Sequence, residues 1–254
     1  MSDSSIVVLN SKYRTLDSAS SSNFTISIGQ SISIKQIVVK SVSLPNTFYN
    51  ITDTNNVGII NLTGLGTYIV LVPVGQYTLA TFLTQLQTLL TAIDIASTVV
   101  QNPLTKKLEF TFSYLAQWDT SSASPLSRVM GTYLQPATVY PAVPVASFSA
   151  AGFTDLSGIR NVFICSRILG QGFNSILQEG RNLPMILNMP MEAGFGDVCY
   201  YSSNEVNLDL KQYKSYQNIQ LCDLTLRGDD GELLNNNGAE WSITLLVYYE
   251  KIIK

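Results

Sequence analysis

No histidine occurs in the 254 residues, and charge of either sign is scarce: 15 Lys+Arg and 18 Asp+Glu make up 13% of the chain, for a net charge of −3. Without imidazole, Ser-His-Asp triads, Cys-His pairs, His-ligated zinc and imidazole proton shuttles are all excluded. Only three cysteines are present, Cys165, Cys199 and Cys222. They are odd in number, far apart and without CxxC spacing, which argues against a disulfide framework or a structural zinc site and for reduced, buried thiols. No apolar run reaches the ~18 to 20 residues of a membrane-spanning helix. The opening MSDSSIVVLNSKYR lacks the basic-then-apolar order of a secretory signal. The expectation is a chain made and folded in a reducing compartment, neither secreted nor inserted in a membrane. A basic stripe is missing too: Lys35, Lys40, Arg160, Arg167 and Arg181 are dispersed, so nucleic acid is not an expected partner.

What is present is apolar and neutral-polar. Hydrophobic residues make up 46%, an ordinary share for a folded domain, while Ser, Thr, Asn and Gln stand where charge is usual. The length fits one large all-β domain or two smaller ones. From Thr54 to Ile93, and again from Val129 to Thr154, there is no Asp, Glu, Lys or Arg. Such stretches are either surface that becomes covered on assembly or core strands joined by Thr/Gln-rich loops.

Short segments rich in β-branched and aromatic residues recur about every ten residues between Gly, Pro, Asn and Ser clusters, which predicts a β-sandwich or barrel. The predicted strands are Ile6–Leu9, Phe24–Ile28, Ile34–Val42, Val57–Leu62, Thr67–Val72, Ser97–Val100, Leu108–Phe112, Asn161–Ile168, Met185–Met189, Val206–Leu210, Ile219–Leu226 and Trp241–Tyr249. Within Tyr77–Ile93, Leu79, Phe82, Leu83, Leu86, Leu89 and Leu90 fall on one face of a 3.6-residue period, which predicts an amphipathic helix. A short helix is expected at Ser124–Met130, with Pro125 suited to its first turn. Pro125, Pro136, Pro141 and Pro144 mark Ser113–Gly158 as a long irregular excursion, and Gly170–Pro184 as a second irregular stretch follows. The C-terminal portion reads as a hairpin turning at Asp229, Asp230 and Gly231, with a further turn at Asn235–Gly238.

No catalytic constellation emerges. Asp229, Asp230 and Glu232 are the only acidic cluster, and a turn explains them better than acid-base work or calcium binding. Gly64, Gly66 and Gly75 lack the strand–loop–helix context of a phosphate cradle. Arg227, Gly228 and Asp229 spell a tripeptide that some cell-surface receptors read on exposed loops. Arg227 also belongs to a strand pattern, and the three residues are carried as a candidate receptor contact. Cys165, within NVFICSRI, is expected to pack as a small hydrophobe.

Four segments, in order, carry a resemblance: SKYRTLDSASSSNFTISI from Ser11, IVVKSVSLPNTFYNI at Ile37–Ile51, GQYTLATFLTQLQTLL at Gly75–Leu90, and DLTLRGDDGELLNNNGAEWSITLLVYYE at Asp223–Glu250. Together they resemble the penton (minor capsid) proteins of virophages and Maverick/Polinton-like DNA viruses. The resemblance implies a single jelly-roll β-sandwich of two facing antiparallel sheets, with one helix and an insertion at about 113–158. It implies five copies closing into a ring at the icosahedral five-fold vertices, surrounded by a double jelly-roll major capsid protein and other minor capsid proteins. The place would be the virion, with assembly inside the host cell and no cofactor. The family motif falls on Leu44, Pro45, Asn46, Thr47, Phe48, Tyr49 and Asn50, which would end a core strand, and on Gly75, Tyr77, Asp230, Gly231 and Trp241. Trp241, Ile243, Leu245 and Val247 would share one strand face. Residues 1–22 would form an arm able to reach a neighbouring subunit, leaving 23–254 as one domain. Two other readings stay open: a carbohydrate- or receptor-binding β-sandwich in which Tyr133, Tyr140, Phe148 and Phe153 stack on sugars, and a cupin-like enzyme, for which the metal-binding histidines are missing.

Overall fold

The computed structural model describes residues 2–133, 138–170, 175–178, 181–203, 210–229 and 231–250. Two compact units emerge: Met1–Phe48 with Ile159–Lys254, and the uninterrupted segment Tyr49–Gly158. The chain is all-β in character, a jelly-roll β-sandwich protein with one main helix.

The first unit contains β1 (Ser2–Asn10), β2 (Asn23–Pro45), β8 (Asn161–Cys165), β9 (Ser175–Gln178), β10 (Arg181–Pro190), β11 (Val198–Ser202), β12 (Leu210–Arg227) and β13 (Ser242–Glu250). They form one antiparallel sheet in the order β1-β13-β2-β12-β8-β10-β9, with β11 also on β2. β2 has 23 residues and would span about 75 Å if straight. It is not straight. Phe24, near its start, packs edge-on against Trp241 at 5.6 Å between ring centroids, and Trp241 directly precedes the Ser242 that pairs with Ser43 near the other end of β2. The strand therefore folds back on itself, and the sheet supplies both layers of a sandwich. Gly29, at φ +82°, lies within the turnover, where left-handed backbone favours glycine. One continuous core fills the interior, from Leu9 through Phe24, Ile37, Leu44, Ile164, Met189 and Leu224 to Trp241, Ile243, Leu245 and Val247.

The opening residues are tied into this unit. β1 pairs with β13 over nine consecutive positions, from Ser2↔Glu250 to Asn10↔Ser242. The Ser11 N–H donates to Trp241 O (2.9 Å), Trp241 N–H donates to Ser11 Oγ (2.9 Å), and Ser11 Oγ donates to Glu240 Oε2. Arg14 pairs with Glu240 at 2.8 Å, and the indole Nε1–H of Trp241 donates to Ser21 O at 2.7 Å. The arm expected over residues 1–22 is thus corrected: Val7 and Leu9 face inward, so the segment completes the core instead of projecting from it.

The second unit holds β3 (Val57–Leu62), β4 (Gly66–Leu71), α1 (Leu79–Ile93), β5 (Thr98–Gln101), β6 (Leu108–Asp119), α2 (Leu126–Met130) and β7 (Val139–Ser149). Its sheet runs β4-β3-β6-β5, with β7 also on β6. The helix starts where expected: Thr78 is its N-cap, accepting from Thr81 N–H while the Thr81 hydroxyl accepts from Thr78 N–H, a reciprocal cap. Phe82, Leu86 and Leu90 are fully buried against Ile60, Leu62, Val70, Phe110 and Trp118. The apolar stripe read from the sequence is therefore the face that covers the sheet.

Three other expectations are corrected. The excursion over 113–158 is not an isolated irregular loop, because β6 runs on to Asp119 and β7 returns along it. Its prolines disguise β7: Pro141 and Pro144 lie in a bulge between the pairs Trp118↔Tyr140 and Ala116↔Val145, where no ladder N–H is needed. The separate unit spans 49–158, not 113–158, because β3, β4, α1 and β5 share its core. Finally, β12 and β13 are not hairpin partners, since β2 lies between them. Of the predicted strand Val206–Leu210, residues 206–209 lie outside the described residues; Leu210 opens β12.

Candidate assembly surfaces

Along β11, β2, β13 and β1 of the first unit's sheet, outward side chains line up in neutral rows. Residues opposite one another on neighbouring strands share a face, so the register aligns Tyr200, Ser43, Ser242 and Asn10 in one row and Ser202, Ser41, Thr244 and Val8 in the next. Leu246 with Ile6, and Tyr248 with Ser4, continue it. Ile6, Val8 and Tyr200 are 66%, 60% and 77% exposed, and β1 is an edge strand. The two lysines of β2, Lys35 and Lys40, are the residues skipped at its bulges against β13. They sit on the same solvent side as the rows and flank them, Lys35 exposed and Lys40 half-buried.

A second neutral surface lies on the other unit. Val57↔Leu71 and Ile59↔Ile69 pair on the outward face of β3 and β4, with Ile69 70% and Leu71 54% exposed; β4 is the edge strand of its sheet. In the charge-free stretch from Thr54 to Ile93, inward residues make core and outward ones on β3 and β4 form an exposed apolar surface.

The motif residues act as joints. β2 ends at Pro45, with Leu44 fully buried beside it. Asn46 accepts Gly196 N–H through its carbonyl and donates from Nδ2 to Ala193 O (2.7 Å), while Thr47 Oγ1 donates to Asn236 O (2.7 Å). Phe48 joins the first core. Asn50, buried, works inside the second unit: Nδ2 donates to Tyr77 O (2.8 Å) and Leu156 O (2.9 Å), and Oδ1 accepts Tyr77 N–H (2.9 Å). Gly75 forms a two-way bridge with Ile51. Tyr49 opens the second unit.

The receptor-like tripeptide is built into a turn. Arg227 donates to Gly231 O at 2.7 Å, and Gly228 is buried with its N–H on Glu232 O. The Asp229 carboxylate accepts from the N–H groups of Arg160 and Asn161 and from Asn161 Nδ2 (2.7 Å). The guanidinium and carboxylate that a receptor would read are both engaged, the first within the turn and the second on Arg160 and Asn161. Gly231 closes it at φ +76°; Asp230 lies outside the described residues.

Of the aromatics proposed as sugar platforms, Phe148 stacks on Phe110 at 5.3 Å, and Tyr140 packs edge-on against Phe148 while its hydroxyl donates to Ser149 O. Tyr133 and Phe153 instead line one open depression with Arg128 and Asp155. All three cysteines are buried and free. Burial pushes the Cys165 thiol up to about 11, against a smaller pull from Arg227, and burial with the Asp223 charge pushes Cys222 to about 12. Neither is a thiolate at neutral pH. Among the described residues no three His, Cys, Asp or Glu side chains gather as a metal site, and no helix is long and apolar enough to cross a membrane.

No protein-family model matches the sequence, and no curated protein is detectably similar to it. Solved structures do match. A chain in the cryo-EM structure of the Sputnik virophage aligns over 99% of both chains with a TM-score of 0.51 and 12% identity. The fold is one that a virophage carries. The mavirus penton protein aligns over 98% of this chain and 100% of its own, with a TM-score of 0.49 and 11% identity. What is shared with the Sputnik virophage chain is the fold.

Proposed function

We propose that this chain is a structural capsid protein of a virophage-like virus, a penton subunit whose five copies close a ring at each icosahedral five-fold vertex. The surrounding double jelly-roll major capsid protein and other minor capsid proteins are its partners in the virion, which assembles inside the host cell. The work it does is non-catalytic: complementary neutral surfaces hold subunits together. The observation that carries this reading is the fold shared from end to end with a Sputnik virophage chain, joined to motifs that occur in the same order along the sequence. A head-to-tail ring uses two different patches per subunit, and the chain offers two, the neutral rows of β1, β13, β2 and β11 flanked by Lys35 and Lys40, and the apolar β3–β4 face. Neutral faces lose little solvation of charge when they meet.

Native mass spectrometry tests the proposal. The expected species is five times the 27.9 kDa chain, alone or on adding the major capsid protein of the same virus. A stable dimer or trimer, or a monomer that stays monomeric with that protein present, overturns the ring.

A further inference from the structure

We propose that the depression bounded by Arg128, Tyr133, Phe153 and Asp155 on the 49–158 unit is a binding site for a neutral pyranose saccharide. It goes beyond the capsid role, since a ring subunit needs no such site. The depression is open, about 510 Å³, and also bordered by Gly131 and Gly152, a size within the usual range for small-ligand sites.

Its construction is rigid. Gly131 ends α2 in left-handed backbone at φ +73°, and a Cβ there would lie 2.6 Å from both Gly152 O and Phe153 O, so only glycine admits the two loops to this distance. Gly152 N–H donates to Gly131 O (2.7 Å), Asp155 N–H to Val129 O (2.8 Å), and Lys107 Nζ to Ala151 O (2.6 Å). These bonds clamp the loop 150–155 onto the end of α2. On that fixed loop Phe153 presents its ring to solvent at 65% exposure. A rigidly displayed apolar ring is what the C–H face of a pyranose stacks on.

The polar groups suit the hydroxyls. The Arg128 guanidinium carbon sits 4.8 Å over the Tyr133 ring centroid, which holds a purely donating group in place. Asp155, an acceptor, is set by Ser157, whose N–H (3.0 Å) and Oγ–H (2.5 Å) both reach Oδ1. One donor and one acceptor of opposite charge beside an aromatic platform match vicinal hydroxyls, and their charges cancel, which favours a neutral sugar over an acidic one. Tyr140 and Phe148, committed to their own packing, are not part of the site.

The test is saturation-transfer NMR on the full chain with methyl β-galactoside, methyl β-glucoside, methyl α-mannoside and N-acetylglucosamine, and sialyllactose as the acidic comparator. At least one neutral sugar is expected to receive saturation on its ring C–H protons. Phe153→Ala should weaken that binding about tenfold, the loss of one good stacking contact, while Phe153→Tyr retains it. Arg128→Gln and Asp155→Asn should each weaken it, and Tyr140→Phe should leave it unchanged. Because Phe153 is exposed, its variants keep the fold, which the NMR spectrum itself checks. Absence of transfer to all four neutral sugars overturns the proposal, as does equal transfer in Phe153→Ala or transfer to sialyllactose alone.

Discussion

The two units reach a closed core by different means. In the unit of residues 1–48 and 159–254, a 23-residue strand doubles back and the sheet encloses itself. In the unit of residues 49–158, the sheet stays open and a capped helix supplies the cover. The first depends on pairing the beginning of the chain with its end, as β1 with β13; the second is local. Closing distant segments is entropically slow, local closure fast. During synthesis the 49–158 unit has its whole sequence before β8, β12 and β13 exist, so it is expected to fold first.

The two tryptophans divide between the units and allow this difference to be tested from the largest effect downward. Trp241 sends its indole N–H to Ser21 O, whereas Trp118, fully buried, has its Nε1 without a hydrogen-bond partner. Trp241→Ala and Trp118→Ala should each destabilise their own unit by about 3 to 5 kcal/mol. The phenylalanine variants separate them: Trp241→Phe orphans a buried carbonyl at a further ~1 to 3 kcal/mol, and Trp118→Phe loses no such bond. Urea-dependent hydrogen exchange in β13 for the Trp241 variants, and in α1 for the Trp118 variants, reads the unit that carries the change. Equal losses in the two Phe variants would contradict the contrast.

Cys165 and Cys222, whose thiols burial holds protonated, lie in the first unit, so alkaline pH should strain it. A thiol whose folded pKa is raised stabilises the fold fully below its unfolded value, near 9, and that contribution is lost as pH rises toward the folded value. With Cys165 at about 11 and Cys222 at about 12, each withdraws roughly 2 to 3 kcal/mol by about pH 11. Melting curves of Cys165→Ala/Cys222→Ala beside the wild type should show a shallower alkaline slope for the variant. At neutral pH, native alkylation of Cys165 should be slow; rapid stoichiometric labelling sinks its buried placement.

Asn50→Ala removes three hydrogen bonds at the base of the second unit and should lower its stability by about 2 kcal/mol, read from hydrogen exchange in α1 against β13. Thr78→Ala, at the helix cap, should be the mildest at about 1 kcal/mol, visible in helical circular dichroism on melting. A Thr78→Ser variant should recover it.

What could be read from the sequence was what repeats at short range. The six apolar positions from Leu79 to Leu90 set the helix face, and the alternation Trp241, Ile243, Leu245, Val247 set the inner face of β13. Partners were not legible, because pairing is decided by the whole sheet. Asp229 and Gly231 looked like a hairpin turn, yet β2 occupies the place between β12 and β13. β7 was hidden because Pro141 and Pro144 occupy a bulge, a position that only the register against β6 reveals. The surfaces were half legible. Missing charge from Thr54 to Ile93 signalled neutrality, but which residues face outward depended on register. Of the aromatics named in the excursion, Tyr133 and Phe153 came together beside Arg128, which no spacing in the sequence indicates.

Asn50 has one further meaning. A Cβ added to Gly158 would stand 3.3 Å from Asn50 Cβ, so the segment leaves and re-enters the rest of the chain at nearly one point. A folded block whose ends touch is an exchangeable cassette: a short Gly/Ser bridge could replace it, or a foreign block with the same end spacing could be grafted in its place. Either exchange would leave the strand ends Pro45 and Asn161 of the self-enclosing sheet untouched.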